Sequence, residues 1–217
     1  MAIRAVLFDL DGTLVDSLAD IGESMNIVLQ AAGFPTHSLG DYRRFVGEGI
    51  TVLTRRALPA ARRDEETVGR CVERMREVYA ARAHGRTRPY EGVAELLSQI
   101  DDRGLARGVL SNKPHDLTRA LVAALFGEDS FAPVLGERPG VPRKPDPAGA
   151  LEAARALGAA PEEVLFVGDT PTDLATARAA GMPAVAATWG FRDEPELRAA
   201  GATRIAHHPL EVLRWLD

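Results

Sequence analysis

The chain has 217 residues, enough to bury one large core or a core plus a small accessory domain. Apolar residues make up 46% and charged residues 26%, and a formal net charge of -5 argues against a nucleic-acid-binding surface. No apolar stretch approaches a membrane span, and Met1-Ala2-Ile3-Arg4 leads into the first strand without a signal peptide, so a cytoplasmic protein with no membrane partner is expected.

Ile3 to Leu10 is a short apolar run, too brief for a helix and stopped by Asp11-Gly12, and it predicts a fully buried strand. Asp9 and Asp11 stand two residues apart on that extended backbone, so both carboxylates can converge on one point. Burying them together is costly unless a cation lies between them or one is protonated, and hard oxygen ligands of this kind suit Mg2+. A solvated Asp-Gly turn would account for one aspartate but not for the pair.

Val15 to about Arg88 reads as helices over Ser17 to Ala32, Asp41 to Ala57 and Asp64 to Ala83. Ile21, Met25, Val28 and Leu29 recur at helical spacing and predict a core face. The second helix is interrupted by Arg43-Arg44-Phe45-Val46-Gly47-Glu48-Gly49-Ile50, where two glycines are unfavourable unless bending or close approach is useful. A plain helix-helix loop explains the same string. Cys71, the single cysteine, forms no internal disulfide and reads as a buried or idle thiol.

From Pro89 the pattern alternates. Helix Gly92 to Arg103 precedes strand Leu105 to Leu110, helix His115 to Phe126 precedes strand Ala132 to Leu135, and helix Pro147 to Leu157 precedes strand Val164 to Val167. Strands Ala184 to Ala187 and Thr203 to Ala206 follow, then helix Pro209 to Leu216. Alternation of this kind predicts an α/β fold, a parallel sheet covered on both faces with its ligand site beyond the carboxyl ends of the strands. The helical segment separates the first strand from its series and reads as an insertion. That segment carries 12 basic and 10 acidic side chains, the remainder 14 and 21. His84, His115, His207, His208, Trp189 and Trp215 read as structural or solvated residues.

Three further strings fall at predicted strand ends or loops. Leu110-Ser111-Asn112-Lys113-Pro114 offers a hydroxyl and backbone N–H groups before a helix, which suits phosphate oxygens as well as an ordinary turn. Arg143-Lys144-Pro145-Asp146-Pro147 holds one of only two lysines among 26 basic residues, and a charge fixed there can stabilise a phosphoryl group. Val164 to Asp173 is a strand ending in Gly168-Asp169, with Asp173 four residues on.

Taken with Val6 to Thr13, these strings resemble, in order and spacing, the four motifs of the haloacid-dehalogenase-like phosphohydrolases, and the Val-Gly-Glu-Gly string is similar to phosphoglycolate-phosphatase-like members. The resemblance implies a Rossmann-like parallel-sheet core over residues 1–14 and 89–217 and an inserted α-helical cap over residues 15–88. It implies Asp9 as nucleophile and Asp11 as general acid/base. Mg2+ would be held by Asp9, Asp11 through its backbone carbonyl, and Asp169, with Asp173 supporting the metal shell or orienting Lys144. Ser111 and Lys144 would hold the phosphoryl group, Asn112 assisting through its backbone. Lys113, Arg43, Gly47, Glu48 and Gly49 are the remaining candidate substrate-binding residues, and Arg43 or Arg44 could pair with a substrate carboxylate. The implied activity is Mg2+-dependent hydrolysis of a small phosphomonoester, with 2-phosphoglycolate favoured. A β-phosphoglucomutase-like sugar phosphomutase and a pyrophosphatase are the alternatives, a non-enzymatic binding module fits poorly with both aspartates retained, and a monomer or homodimer is expected.

Overall fold

The computed structural model describes residues 2–82 and 85–216. Strand β1 (Ala5–Phe8) and the short β2 (Val15–Asp16) come first, followed by helices α1 (Leu18–Ala31), α2 (Leu39–Phe45), α3 (Ile50–Ala57) and α4 (Glu65–Arg82). The chain returns through β3 (Arg88–Pro89) and then alternates: α5 (Val93–Asp102), β4 (Ala106–Pro114), α6 (His115–Phe126), β5 (Val134–Glu137), α7 (Ala148–Ala156) and β6 (Val164–Gly168). It closes with α8 (Pro171–Ala180), β7 (Ala184–Ala187), α9 (Glu194–Ala199), β8 (Ile205–Ala206) and a 3-10 helix at Pro209–Trp215. Ala83 and His84, which the sequence placed at the end of the helical segment, lie outside the described residues.

Six strands form one parallel sheet in the order β5-β4-β1-β6-β7-β8. All four residues of β1 are buried because helices cover both faces. The two-residue period sends Val6 and Phe8 into an apolar cluster with α5, α6 and the last 3-10 helix, while Ala5 and Leu7 pack on the alanine-rich α7 and α8. The chain leaves β1 for β4 and β5 on one side, then crosses back to β6 on the other. The crevice at such a reversal is where open α/β sheets take ligands.

Helices α1 to α4 share a second apolar cluster, including Ile21, Met25, Leu29, Tyr42, Leu53, Val68, Met75 and Tyr79, which Phe191 joins from the loop after β7. The two connections between this layer and the sheet pair as an antiparallel ribbon, Val15 with Pro89 and Asp16 with Arg88. Asp20 braces the return. Its buried carboxylate accepts from the Arg86 N–H and from the Thr87 N–H and hydroxyl. Burial pushes the Asp20 carboxyl up, but these hydrogen bonds outweigh it and hold the group below its ordinary value.

Several elements differ from the sequence expectation. The expected helix at 41–57 is two helices, broken where Gly47 and Gly49 take φ of 125° and 87°. Strand β4 runs on through Ser111 to Pro114, with a register shift against β5. Helix α9 has no counterpart in the sequence reading, because it buries one leucine, Leu197, and shows no apolar period. Its start is nonetheless capped by Asp193, which accepts from the Glu196 N–H. Among the described residues, no helix is long and apolar enough to cross a membrane.

Candidate active site

The ends of β4, β1 and β6 bring four of the sequence strings together. Asp9 follows β1, Ser111 lies in the last part of β4, and Asp169 follows β6. Asp9 is buried, and its Oδ1 accepts from the Leu10 N–H at 2.7 Å and stands 2.9 Å from Lys144 Nζ. Burial pushes the Asp9 carboxyl up to about 7 against the pull of Lys144, with Asp173 adding to the rise.

The turn after β1 is built around Gly12, whose φ of 93° favours glycine. A Cβ there would also stand 2.2 Å from Asp169 Oδ2, so the close approach of turn and carboxylate needs the missing side chain. The Thr13 hydroxyl donates to Asp169 Oδ1 at 3.2 Å, and the Trp189 indole donates to the Thr13 carbonyl at 2.9 Å. Trp189 therefore clamps this turn as well as packing on the core.

Asp169 is fully buried and accepts the Phe191 N–H at 2.8 Å besides the Thr13 hydroxyl. Burial, then the neighbouring Asp173 and Asp9 charges, hold its carboxyl well above the ordinary range. Asp173 sits in the first turn of α8 in a capping box, its Oδ2 accepting from the Thr170 N–H and hydroxyl. Its Oδ1 lies 2.6 Å from Lys144 Nζ. Burial pulls the Lys144 ammonium down, but Asp173 and Asp9 outweigh it and keep the charge in place.

One carboxylate oxygen from each of Asp9, Asp169 and Asp173 lies within 4.8 Å of the others, all buried. Three carboxylates against the single Lys144 ammonium leave a formal excess of two negative charges, which one hard dication would neutralise. The donor set therefore fits Mg2+. The Asp11 side chain is engaged elsewhere: the Ser17 hydroxyl donates to it at 2.6 Å and Lys113 Nζ approaches both its oxygens, at 2.9 and 2.7 Å.

The Asn112 side chain braces the site. Its Oδ1 accepts from the Lys144 N–H, and its Nδ2 donates to the Lys144 and Gly47 carbonyls. It thus fixes the lysine backbone and reaches the helical layer in one bracket. Lys113 is buried against Tyr79, donating to its hydroxyl at 3.1 Å and lying 4.6 Å from the ring centroid. Burial pulls its ammonium down, and Asp11 with Tyr79 holds it above the ordinary lysine value.

Between the sheet and the helices lies a cavity of about 70 Å3. Asp9, Asp11, Ser111, Asn112 and Lys113 line its floor, and Ile21, Ile50, Leu53, Met75 and Tyr79 form an apolar roof with Gly47 and Gly49 at one side. Arg43, Arg44 and Glu48 are not in its wall. Arg43 donates to the Gly190 carbonyl, Arg44 pairs with Asp41, and Glu48 pairs with Arg56. Arg192 completes the seam by donating to the Arg43 and Val46 carbonyls, at the carboxyl end of α2. His115, His207 and His208 also lie outside the cavity wall, and Cys71 is buried, its thiol pushed up by that burial.

Besides Thr13, Ser17 and Trp189, sequence reasoning missed Tyr79 and Arg192 beside the site. Tyr79 sits at an ordinary core position of a helix, and Arg192 in a loop without a motif. Neither carries a local signal.

Comparison with known proteins places this geometry in a family. The profile of the haloacid dehalogenase-like hydrolases matches residues 3–181. The phosphoglycolate phosphatase of Mesorhizobium japonicum is 35% identical over 195 residues, covering 89% of this chain and 86% of its own. That of Rhodospirillum rubrum is 37% identical over 219 residues, covering 98% and 90%. A crystal structure of a Lactobacillus delbrueckii subsp. bulgaricus protein, 30% identical, superimposes with a TM-score of 0.93 over 100% of this chain and 99% of that one. The chain belongs to the haloacid dehalogenase-like hydrolases.

Proposed function

We propose that this haloacid dehalogenase-like hydrolase is a Mg2+-dependent phosphatase that cleaves 2-phosphoglycolate to glycolate and phosphate through an aspartyl-phosphate on Asp9. The observation that carries the reading is the placement of Asp9 at the floor of the cavity, 2.9 Å from Lys144 and clustered with Asp169. The relatives' names support the substrate, and the small cavity supports a substrate of that size: about 70 Å3 holds only a handful of waters. In this reading residues 15–88 form the cap and residues 1–14 and 89–217 the catalytic core.

A phosphate monoester resists attack because its oxygens repel nucleophiles and its alkoxide leaves poorly. Mg2+, held by Asp9, Asp169 and the Asp11 carbonyl, would supply positive charge against the phosphoryl oxygens. Lys144 and Ser111 hold the transferring group, with Asp173 orienting the lysine and Asn112 fixing its backbone. The Asp9 carboxylate attacks phosphorus while the ester oxygen departs with a proton from Asp11. Asp11, its side chain held by Ser17 and Lys113, then takes a proton from water as that water attacks the acyl phosphate. Free phosphate leaves and Asp9 is restored. The apolar roof keeps bulk water from the intermediate.

The test is phosphate release from a panel of 2-phosphoglycolate, pyrophosphate, hexose phosphates and nucleotides, with and without Mg2+. The highest kcat/KM is expected for 2-phosphoglycolate with Mg2+. Faster release from pyrophosphate, or isomerisation of a hexose phosphate without net release, would replace the reading with a pyrophosphatase or a phosphomutase.

A further inference from the structure

We propose that the Lys113 ammonium and the Tyr79 hydroxyl together bind the substrate's carboxylate, and so select a carboxylated phosphomonoester over a neutral one of equal size. The inference rests on the phosphatase reading above and names the groups that would give it its specificity.

Three observations carry it. First, Lys113 is the sole cation among the described residues of the cavity wall, and the arginines that the sequence offered for this task are engaged outside it. The remaining roof is Ile21, Ile50, Leu53 and Met75, against which a second negative charge would be stranded unless it met Lys113. Second, Tyr79 is buried and its hydroxyl accepts from Lys113, while no acceptor for its own proton is found among the described residues. The three Lys113 N–H groups meet the two Asp11 oxygens and the Tyr79 hydroxyl; a bound carboxylate would take over one of the N–H groups now shared with Asp11 and accept the spare Tyr79 O–H on its other oxygen. Third, Lys113 also holds both oxygens of Asp11. In 2-phosphoglycolate the ester oxygen is joined to the carboxylate carbon through a single methylene. A carboxylate read by Lys113 therefore sets the ester oxygen beside Asp11, the group that must protonate it. Because Tyr79 comes from α4 and Lys113 from β4, the reader is complete only when the helical layer lies over the sheet.

The experiment compares kcat/KM for 2-phosphoglycolate and 2-hydroxyethyl phosphate, in which CH2OH replaces the carboxylate, for the Mg2+-loaded wild type, Lys113→Met, Lys113→Arg and Tyr79→Phe. The wild type should favour 2-phosphoglycolate by about tenfold or more, the worth of a charge-assisted hydrogen bond. Lys113→Met should lower that ratio at least about tenfold and Lys113→Arg should restore part of it. Tyr79→Phe should lower it about threefold to tenfold, chiefly through KM for the carboxylated ester. A lysine that serves only to position Asp11 would slow both esters equally, and an unchanged ratio in Lys113→Met overturns the inference. If Lys113→Met fails to fold, Tyr79→Phe decides, since it keeps the ring: a lowered ratio supports the pair and an unchanged one overturns it. Release from both esters with equal kcat/KM by the wild type overturns the inference alone, whereas no release from either overturns the phosphatase reading and the inference with it.

Discussion

Replacing Lys144 by methionine removes one ammonium from between two buried carboxylates while keeping most of the side-chain volume. Lys144 Nζ lies 2.6 Å from Asp173 and 2.9 Å from Asp9, and Asp169 is close by with no cation paired to it among the described residues. Breaking a buried pair by removing one partner costs about 3 to 5 kcal/mol, because the remaining charge is left in a dry site. Protonation limits that cost. The Asp9 carboxyl already stands at about 7, above the value of about 3.9 expected when unfolded, with Lys144 pulling it down. Losing the lysine raises it further. Between those two values the folded state of both proteins binds more protons than the unfolded one, so stability falls as pH rises, and above about pH 7 it goes on falling in the variant alone. The deficit relative to wild type should thus be smallest near pH 5 and grow by about 1.4 kcal/mol as Asp9 ionises in the wild type alone, reaching about 3 kcal/mol or more at pH 8. With a urea m-value of about 2 kcal/mol/M, that is a midpoint shift of about 1.5 M. Urea unfolding in EDTA across this pH range reads it directly, and added Mg2+ should narrow the gap. Turnover should fall about 100-fold or more as the phosphoryl group loses its fixed charge. A deficit below about 1 kcal/mol at pH 8 with no pH trend, or turnover within about threefold of wild type, would refute the reasoning.

Other outcomes follow from the same geometry. Asp20→Ala should cost about 1.5 to 3 kcal/mol by chemical denaturation, because it leaves the Arg86 and Thr87 donors unpaired. Its folded carboxyl titrates below the unfolded value, so this contribution is present above pH 4 and disappears as pH falls through the folded value. Gly12→Ala should abolish turnover and weaken Mg2+ binding in calorimetry, since the added methyl meets the Asp169 carboxylate. Arg192→Ala frees the carboxyl end of α2 from the core, and faster amide exchange in Leu39–Phe45 with a raised KM is expected. Chelation should stop hydrolysis, Mg2+ should restore it, and Ca2+, with its looser shell, should inhibit.

The sheet and the gathering of Asp9, Ser111, Lys144 and Asp169 at its strand ends were legible because each rests on a local pattern. Buried parallel strands are continuous apolar runs, and the residues that close them, Asp9, Ser111 and Asp169, stand where those runs stop. Lys144 was legible for a compositional reason, as a lysine in a chain that otherwise uses arginine. The other end of the cavity was legible only in part, since Lys113, Gly47 and Gly49 were among the candidates and Tyr79 was not. Arg43 and Arg44 offered charge beside two glycines, yet folding turns Arg43 to a carbonyl on the seam, while the cavity takes its cation from Lys113 and its hydroxyl from Tyr79. Tyr79 occupies a helical core position like Met75 one turn earlier, and only tertiary packing sets one beside an ammonium. Asp20 and Arg192 are similar cases. Their partners lie 66 and 146 residues away or more, beyond the reach of any spacing rule.

The most direct test of the account is to trap the enzyme during turnover of 2-phosphoglycolate with Mg2+ by acid quench, and to map any phosphoryl group by peptide mass spectrometry. Acyl phosphate on Asp9 is predicted, abundant in Asp11→Asn if release of glycolate is less impaired than attack by water, and absent in Asp9→Asn. A fully active enzyme in which Asp9→Asn still turns over near the wild-type rate, with no phosphoryl group on Asp9, would contradict it.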